Sequence, residues 1–326
     1  MIDTLNFHEK LKSSIIGFTV GDALGVPVEF KSREDLQLKP IDDMEGEGTH
    51  YQPKGTWSDD TSMILATLDC NSLYDFEELA DKFVNWYKKC DYTPYGKVFD
   101  IGNTTSLALN KWRTSVNNPT ECGSVDINSN GNGSLMRILP YAFSFYGLGI
   151  NSLSTRIERV NKCSKITHAH HISTLACNIY SEIVQNLLSG DNIETAYNKI
   201  RSIEWFKMEQ FLVVNEYTDE VINNFDRILK NDISELKMEE IKSSGYVIDT
   251  LEAVLWCVLK TNNYKEAVLK AVNLGNDTDT IAALVGGLAG IMYGYDSIPT
   301  NWIDCLAKKE YLFELIEKFE QSIELL

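Results

Sequence analysis

The sequence predicts an all-α protein, a compact single-domain orthogonal bundle of helices. Apolar residues recur at intervals of three or four in several stretches, most clearly over 76–87 and 251–258, and this interval places them on one face of a helix. No stretch shows the alternation of apolar and polar residues, bounded by turn residues, that is typical of a half-buried β-strand. We therefore expect helices throughout and no sheet.

Length and composition indicate one globular domain over residues 1–326. Hydrophobic residues make up 44% of the chain, which is enough for a sizeable core, and no Pro/Gly/Ser-rich linker divides it. The formal net charge of −17 excludes a general nucleic-acid surface, because such surfaces neutralise phosphates with Lys and Arg. The seven cysteines form no C-x-x-C pair, so we expect reduced core residues rather than disulfides.

The sequence shows neither a signal peptide at its N-terminus nor a long apolar run, and this bears on where the protein acts. Residues 1–15 contain no continuous apolar core of the kind found in a signal peptide, and no run of about 18 apolar residues predicts a membrane span. These observations predict a cytoplasmic protein with no membrane partner. They indicate no particular oligomeric state.

The first predicted helix covers residues 7–21 and is followed by an abrupt break. The stretch GDALGVPVEF ends the helix with Gly25 and Pro27 and finishes on Glu29. An acid after such a break suits an active-site loop or an exposed surface loop, and taken alone the residues favour the surface loop. Residues 31–56 are polar and without periodicity, which predicts a long loop of the kind that is often functional.

Paired aspartates flanked by hydroxyl residues precede apolar helical runs at two distant places in the chain. One carboxylate at a helix start is a cap, but four in one desolvated place would repel each other strongly, and a cation would compensate them. Because the candidate ligands are all oxygens, the ion should be magnesium, manganese or calcium rather than zinc. The candidate ligands are Ser58, Asp59, Asp60, Asp277, Asp279 and Thr280.

The helix that follows the second acidic pair is rich in small residues. Gly286, Gly287 and Gly290 stand inside the run 281–290, although each glycine costs a helix roughly 0.5–1 kcal/mol relative to alanine. We therefore expect neighbouring helices to pack unusually close to this one.

Two polar loops between these places also precede predicted helices. Asp100, Gly102, Asn103 and Thr104 could cap the next helix or face a ligand, and the residues alone do not separate these readings. In the loop SNGNGSLMR (129–137) two glycines precede a helix expected to begin near Ser134, and exposed amides at a helix N-terminus suit a phosphate group. A glycine-rich turn is usually only a turn, and the arginine of this loop could equally form a structural bridge.

Three histidines crowd into the stretch THAHH, between Cys163 and Cys177. A zinc site is conceivable, but the spacing matches no common structural zinc pattern, so a hydrogen-bonded His168 at a helix start is favoured. Residues 191–244 are acidic and helical in pattern. The chain closes with an amphipathic helix over 311–325.

Seven stretches in order make the chain resemble the ADP-ribosylglycohydrolase family. The resemblance implies a hydrolase that cleaves the glycosidic bond between the distal ribose of an ADP-ribosyl group and its acceptor, so an ADP-ribosylated substrate or ADP-ribose is the expected partner. The acceptor stays open among arginine, serine, an acetyl group and a nucleobase. The stretches are 17–30, 55–63, 100–109, 129–140, 167–171, 245–256 and 275–290.

The resemblance also implies roles for the singled-out residues. It implies two Mg²⁺ ions, with Mn²⁺ possible, held at helix N-termini by the six oxygen ligands above. Glu29 would lie on a mobile segment over the substrate, and Glu29 or Asp100 would transfer the proton. The expected substrate-binding residues are Gly102, Asn103, Thr104, Gly131, Asn132, Gly133, Ser134, Met136, Arg137 and His168.

Two other functions also suit parts of the sequence. Some relatives keep the fold without known turnover, which would make the chain a silent ADP-ribose-binding or structural protein, but the intact acid pairs argue against it. A helical isoprenoid synthase also holds magnesium with aspartates, yet it requires D-D-x-x-D on one helix face. Here Met63 stands where the third aspartate would be.

Overall fold

The computed structural model describes residues 4–205 and 217–324, and within them the chain forms helices and isolated β-bridges but no β-strand. The prediction of an all-α fold is confirmed. The helices are α1 (Thr4–Gly25), α2 (Arg33–Leu38), α3 (Asp59–Leu68), α4 (Phe76–Lys89), α5 (Asn103–Lys111), α6 (Leu139–Gly147), α7 (Leu153–Lys165), α8 (His171–Leu188), α9 (Ile193–Arg201), α10 (Asp219–Asn223), α11 (Asp226–Leu229), α12 (Val247–Leu259), α13 (Tyr264–Val272), α14 (Thr278–Tyr293), α15 (Thr300–Cys305) and α16 (Lys309–Glu324). Short 3₁₀ turns cover Val26–Val28, Gly48–His50, Pro119–Glu121, Ile127–Ser129, Ile233–Glu235, Met238–Glu240 and Tyr295–Ser297.

Helices α1 and α14 form the central pair of the fold, and they cross at backbone-to-backbone distance. A Cβ atom added to Gly21 would lie 2.0 Å from the carbonyl oxygen of Ala282, and one added to Gly286 would lie 2.2 Å from that of Gly17. The contacts run in opposite directions along the two helices, so the pair is antiparallel. This close packing explains the small residues of α14 and brings the C-terminal end of α1, just before Glu29, to the acidic N-terminus of α14.

Most other helices begin at side-chain caps and bury one apolar face. Asp75, Ser152, Asn192 and Asn263 each accept a hydrogen bond from a backbone N–H in the first turn of the following helix, a contact worth typically about 1 kcal/mol. In α4 the predicted stripe is confirmed, because Leu79, Ala80, Phe83 and Trp86 are buried. The buried apolar residues join into one continuous core.

Two sequence-based element boundaries are wrong. The expected loop over 31–56 contains α2, where Ser32 and Asp35 form a reciprocal capping box of the kind that starts a helix without an apolar stripe. The helix expected near Ser134 begins instead at Leu139. Residues before it form turns, and Pro140 occupies the first turn of the helix, where its missing N–H costs no hydrogen bond.

Other predictions about the chain as a whole have different outcomes. All seven cysteines are free, as expected. No helix in the described ranges has the length and apolar character needed to cross a membrane. Within 191–244, α9, α10 and α11 are helical as predicted, while residues 206–216 lie outside the described part of the chain.

Candidate active site

The two acidic helix starts meet in space. Helix α3 begins at Asp59 and α14 begins directly after Asp277. The Thr280 hydroxyl donates a hydrogen bond to an oxygen of Asp60 over 3.2 Å, and both side chains are buried. The structure therefore brings the two acid pairs to one place, with the positive ends of both helices pointing at it.

A further acid, Asp22, joins this cluster from α1. It is fully buried and accepts hydrogen bonds from the Ser58 and Thr61 backbone N–H groups and, over 2.7 Å, from the Thr61 hydroxyl. Sequence analysis did not single it out. The available signal was an aspartate inside the otherwise apolar run Val20–Leu24, because a charged residue is seldom buried without a partner or a function.

The carboxylates form two sets, each compact enough to surround an ion. One oxygen each from Asp22, Asp60 and Asp279 lies within 4.8 Å of the others, and the same holds for Glu29, Asp277 and Asp279. Asp279 belongs to both sets. The arrangement thus offers two adjacent groups of hard oxygen ligands at the N-termini of α3 and α14.

A cleft with a volume of about 590 Å³ lies over these acids. Its wall includes most of the residues predicted to bind substrate, together with Asp59 and Thr280. Unpredicted wall residues include Phe30, Ile101, Thr105, Ser244 and Asn276. The predicted residues that line the cleft are Glu29, Asp59, Asp100, Gly102, Asn103, Thr104, Gly131, Asn132, Gly133, Met136, His168, Asp277 and Thr280.

Glu29 and Asp100 both lie in the cleft wall. Glu29 follows the 3₁₀ turn Val26–Val28 and is buried. Its carboxylate hydrogen bonds with the imidazole of His50, a residue that sequence analysis missed. One ligand atom each of Glu29, His50 and Asp100 lies within 4.8 Å of the others. Burial, reinforced by Asp100 and Asp277, raises the pKa of Glu29 to about 7.

The glycine-rich loop (129–137) is hydrogen-bonded to Asp277, one of the clustered acids. The Asn132 side chain donates to an oxygen of Asp277 over 2.6 Å and to the Thr250 hydroxyl over 3.0 Å. Its backbone N–H donates to the carbonyl of Gly245. A Cβ added to Gly133 would lie 2.9 Å from the His168 ring. The loop is therefore held between α12, α14 and His168 with its glycines facing the cleft.

Comparison with known proteins identifies the family. The sequence model described as ADP-ribosylglycohydrolase matches residues 3–325. The chain belongs to the ADP-ribosylglycohydrolase family. The ADP-ribosylarginine hydrolase Tri1 of Serratia proteamaculans is 32% identical over 314 residues, covering 95% of this chain and 78% of that protein. The ADP-ribosyl-(dinitrogen reductase) glycohydrolase of Rhodospirillum rubrum is 28% identical, covering 93% of this chain and 92% of that protein.

A solved structure shows the same architecture. The chain aligns with an ADP-ribosylglycohydrolase-related protein complex at a TM-score of 0.76 and 25% identity, covering 98% of this chain and 99% of that one. The chain therefore shares both the sequence and the fold of the family, which supports a glycohydrolase function.

Some residues expected in the site lie behind the cleft. Arg137 is fully buried, and its guanidinium donates to the carbonyl oxygen of Cys163 and the Thr167 hydroxyl, both over 3.0 Å, above the ring of Phe83. Ser134 is buried next to Cys177. Arg137 and Ser134 therefore support the glycine-rich loop from the core instead of lining the cleft.

Ser58 and the histidines also differ in part from expectation. The Ser58 hydroxyl caps α3 by accepting a hydrogen bond from the Asp60 N–H, so one lone pair of this expected metal ligand is already used.

His170, not His168, caps α8. His168 lies in the cleft wall, and burial followed by the charge of Arg137 lowers its pKa to about 3. Within the described ranges no metal-ligand group includes Cys163, Cys177 or these histidines, which argues against the zinc alternative.

The acidic cluster fits a hard divalent cation. Burial is the largest cause that raises the pKa of Asp59, Asp60 and Asp279 well above the usual range, followed by repulsion from neighbouring carboxylates. Such a set is unfavourable when ionised and uncompensated, and its donors are carboxylate and hydroxyl oxygens, which hard cations prefer. The acidic cluster could thus hold metal ions.

Proposed function

We propose that the cleft hydrolyses the N-glycosidic bond between C1 of the distal ribose of an ADP-ribosyl group and an arginine side chain of a protein, with two Mg²⁺ ions as cofactor and Mn²⁺ as a substitute. The observation that carries the proposal is the convergence of the α3 and α14 acids on the floor of a cleft whose wall holds Glu29 and Asp100.

Arginine is favoured as the acceptor for two reasons. Tri1, which shares 32% identity over most of this chain, is named an ADP-ribosylarginine hydrolase. In addition, the arginine guanidinium is a cation in water, and the cleft presents the carboxylates of Glu29, Asp59 and Asp100. A positively charged acceptor is therefore attracted by the carboxylates of this cleft, whereas a neutral serine or acetyl acceptor gains less electrostatic stabilisation from them.

The residues of the chain divide the chemistry between them. Cleavage of the C1–N bond develops positive charge at C1, which nearby carboxylates stabilise. Water adds its oxygen to C1 and loses a proton, and the departing guanidine nitrogen gains one. We assign the proton transfer to Glu29, because its buried carboxylate lines the cleft and is held there by the imidazole of His50. Asp100 then orients the ribose hydroxyls.

The metal site consists of this chain's own oxygen donors. Asp22, Asp60, Asp277 and Asp279 belong to the compact carboxylate sets and would hold the ions. Asp59, which belongs to neither set, and Thr280 line the cleft and would complete the ligands. Bound cations would orient ribose hydroxyls and activate water. Asn132 keeps Asp277 in place through its 2.6 Å hydrogen bond.

We also propose that residues 1–326 form one domain that acts in the cytoplasm. The seven free cysteines suit a reducing compartment. The continuous hydrophobic core of the described residues suits one domain. Fractionation of the native host with an antibody against the protein would test the location.

The experiment is a panel of ADP-ribosylated acceptors incubated with purified protein and magnesium, followed by quantitation of free ADP-ribose. We expect release from arginine-linked protein at least tenfold faster than from serine-linked protein, from O-acetyl-ADP-ribose or from ADP-ribosylated nucleobase. Glu29→Gln should retain ADP-ribose binding by calorimetry and lose about 10²–10⁴-fold in rate. Binding of ADP-ribose without release from any acceptor would instead favour a silent relative. Release with equal rates from all acceptors would contradict the arginine assignment.

A further inference from the structure

The carboxylate of Glu29 occupies a position that needs an explanation. It is buried among acids, because an oxygen of Asp100 and oxygens of Asp277 and Asp279 lie within 4.8 Å of its own oxygens. Repulsion from these neighbours would favour rotation of the side chain out of the cleft. In the described part of the chain the carboxylate has one hydrogen-bonding side chain, His50, whose Nε2 contacts Oε2.

The loop that carries His50 is fastened to the segment that carries Glu29. The Thr49 hydroxyl donates to the backbone carbonyl of Glu29 over 2.7 Å. Gly48 has a φ of +63°, and a Cβ there would lie 1.9 Å from the carbonyl oxygen of Pro27, so this close contact requires glycine. The Gln52 side chain donates to the carbonyl of His50 over 2.8 Å. The two segments therefore form one packed unit.

The imidazole itself is fixed by packing as well as by hydrogen bonding. Its centroid lies 5.2 Å from the ring of Phe99 and 6.0 Å from that of Phe30. The side chains of His50 and Glu29 are 13% and 7% exposed. Phe30 lines the cleft and Phe99 directly precedes Asp100. The imidazole of His50 therefore packs between the segment of Glu29 and the segment of Asp100.

We infer that His50 is a positioning residue that holds the Glu29 carboxylate in the cleft by donating Nε2–H to Oε2, leaving the other oxygen for proton transfer. The inference rests on the proposed role of Glu29. An ionised carboxylate oxygen only accepts hydrogen bonds, so the ring nitrogen that contacts Oε2 is the one that carries the proton. Fixing a reacting group within about 1 Å is worth up to about 10²-fold in rate, so loss of this contact should lower kcat.

The test compares two substitutions that separate packing from hydrogen bonding. His50→Phe keeps a ring between Phe30 and Phe99 and removes the donor, while His50→Gln keeps a donor and removes the ring. Hydrolysis of arginine-linked ADP-ribose is measured with saturating magnesium, alongside ADP-ribose affinity and melting temperature. Both substitutions are repeated in the Glu29→Gln background.

We expect His50→Phe to lose about 10- to 100-fold in kcat with KM and ADP-ribose affinity within threefold of the parent, and His50→Gln to recover most of that loss. In the Glu29→Gln background His50→Phe should cause little further loss, because residues that act through one another are not additive. A parental kcat in His50→Phe, equal losses in both variants, or full additivity with Glu29→Gln would overturn the inference. Recovery of His50→Phe by raised magnesium or manganese would also overturn it, since His50 would then be a metal ligand.

A separate readout distinguishes failure of the inference from failure of the proposed function. If the parent releases no ADP-ribose, the imidazole N–H proton of His50 is followed by NMR. A slowly exchanging, downfield signal that is lost in Glu29→Ala supports the positioning contact even without turnover. A signal unaffected by Glu29→Ala contradicts it.

Discussion

Asp60→Asn should change stability in opposite directions with and without metal. Asp60 is buried, and an oxygen of it lies within 4.8 Å of oxygens of Asp22 and Asp279. Two unit charges 4.8 Å apart repel by about 3 kcal/mol at an effective dielectric constant of 20. Partial protonation of the cluster relieves part of this, so we expect the metal-free variant to be about 1–3 kcal/mol more stable than the metal-free parent. The asparagine oxygen can still accept the hydrogen bonds of Thr280 and Ser58.

With magnesium the order should reverse. A ligand that binds only the folded state and is present at about 1,000 times its Kd adds about 4.1 kcal/mol to the parent, which exceeds the metal-free advantage of the variant. The variant, which lacks a charged ligand, should gain little. The assay is thermal unfolding after exhaustive EDTA treatment and again in excess magnesium, with a gain of roughly 2–6 °C expected for the metal-free variant. Asp296→Asn, at an exposed acid outside the cluster, is the control and should change neither value. A metal-free Asp60→Asn protein less stable than the parent would refute the account of a repulsive, metal-compensated cluster.

Two further predictions concern pH and the core behind the cleft. Burial raises the pKa of Glu29 to about 7 and that of Asp22 to about 6, so the folded metal-free protein binds these protons more tightly than the unfolded chain. Its melting temperature should therefore fall as pH rises from about 5 to about 8, and saturating magnesium should flatten this dependence on pH. A melting temperature that rises over that window would contradict the raised pKa values. Arg137→Met leaves the Cys163 carbonyl and the Thr167 hydroxyl without the buried guanidinium donor. Urea titration should show a free energy of unfolding lowered by about 1–3 kcal/mol, and initial rates should show a KM within threefold of the parent. An unchanged stability with a large rise in KM would place Arg137 in the substrate site instead.

The parts of the site that the sequence predicted are those carried by local pattern. Paired aspartates before apolar runs mark two helix N-termini, and the glycines of α14 indicate a close helix contact. The antiparallel crossing of α1 and α14, in close contact at Gly21 and Gly286, places the C-terminal end of α1 next to the acidic N-terminus of α14. Helix caps and apolar stripes depend on neighbours a few residues away, so they can be inferred without the fold.

The parts that were missed depend on contacts between distant segments. Asp22 stands inside an apolar helix, and its function follows from its position against Ser58 and Thr61. His50 lies in a loop without periodicity and becomes informative only through Glu29. Arg137 is the last residue of the glycine-rich loop, yet the turn before α6 directs its guanidinium into the core. Adjacency to a motif does not determine the direction of a side chain.

The central claim is that this cleft removes ADP-ribose from arginine by means of a metal held by the α3 and α14 acids. The most direct measurement is mass-spectrometric quantitation of ADP-ribose released from an arginine-ADP-ribosylated protein by the EDTA-treated parent, before and after magnesium is restored. We predict no release above background in EDTA and recovered turnover in magnesium or manganese, with Asp279→Ala inactive in both conditions. Full activity after exhaustive chelation, or Asp279→Ala turnover equal to that of the parent, would contradict the claim.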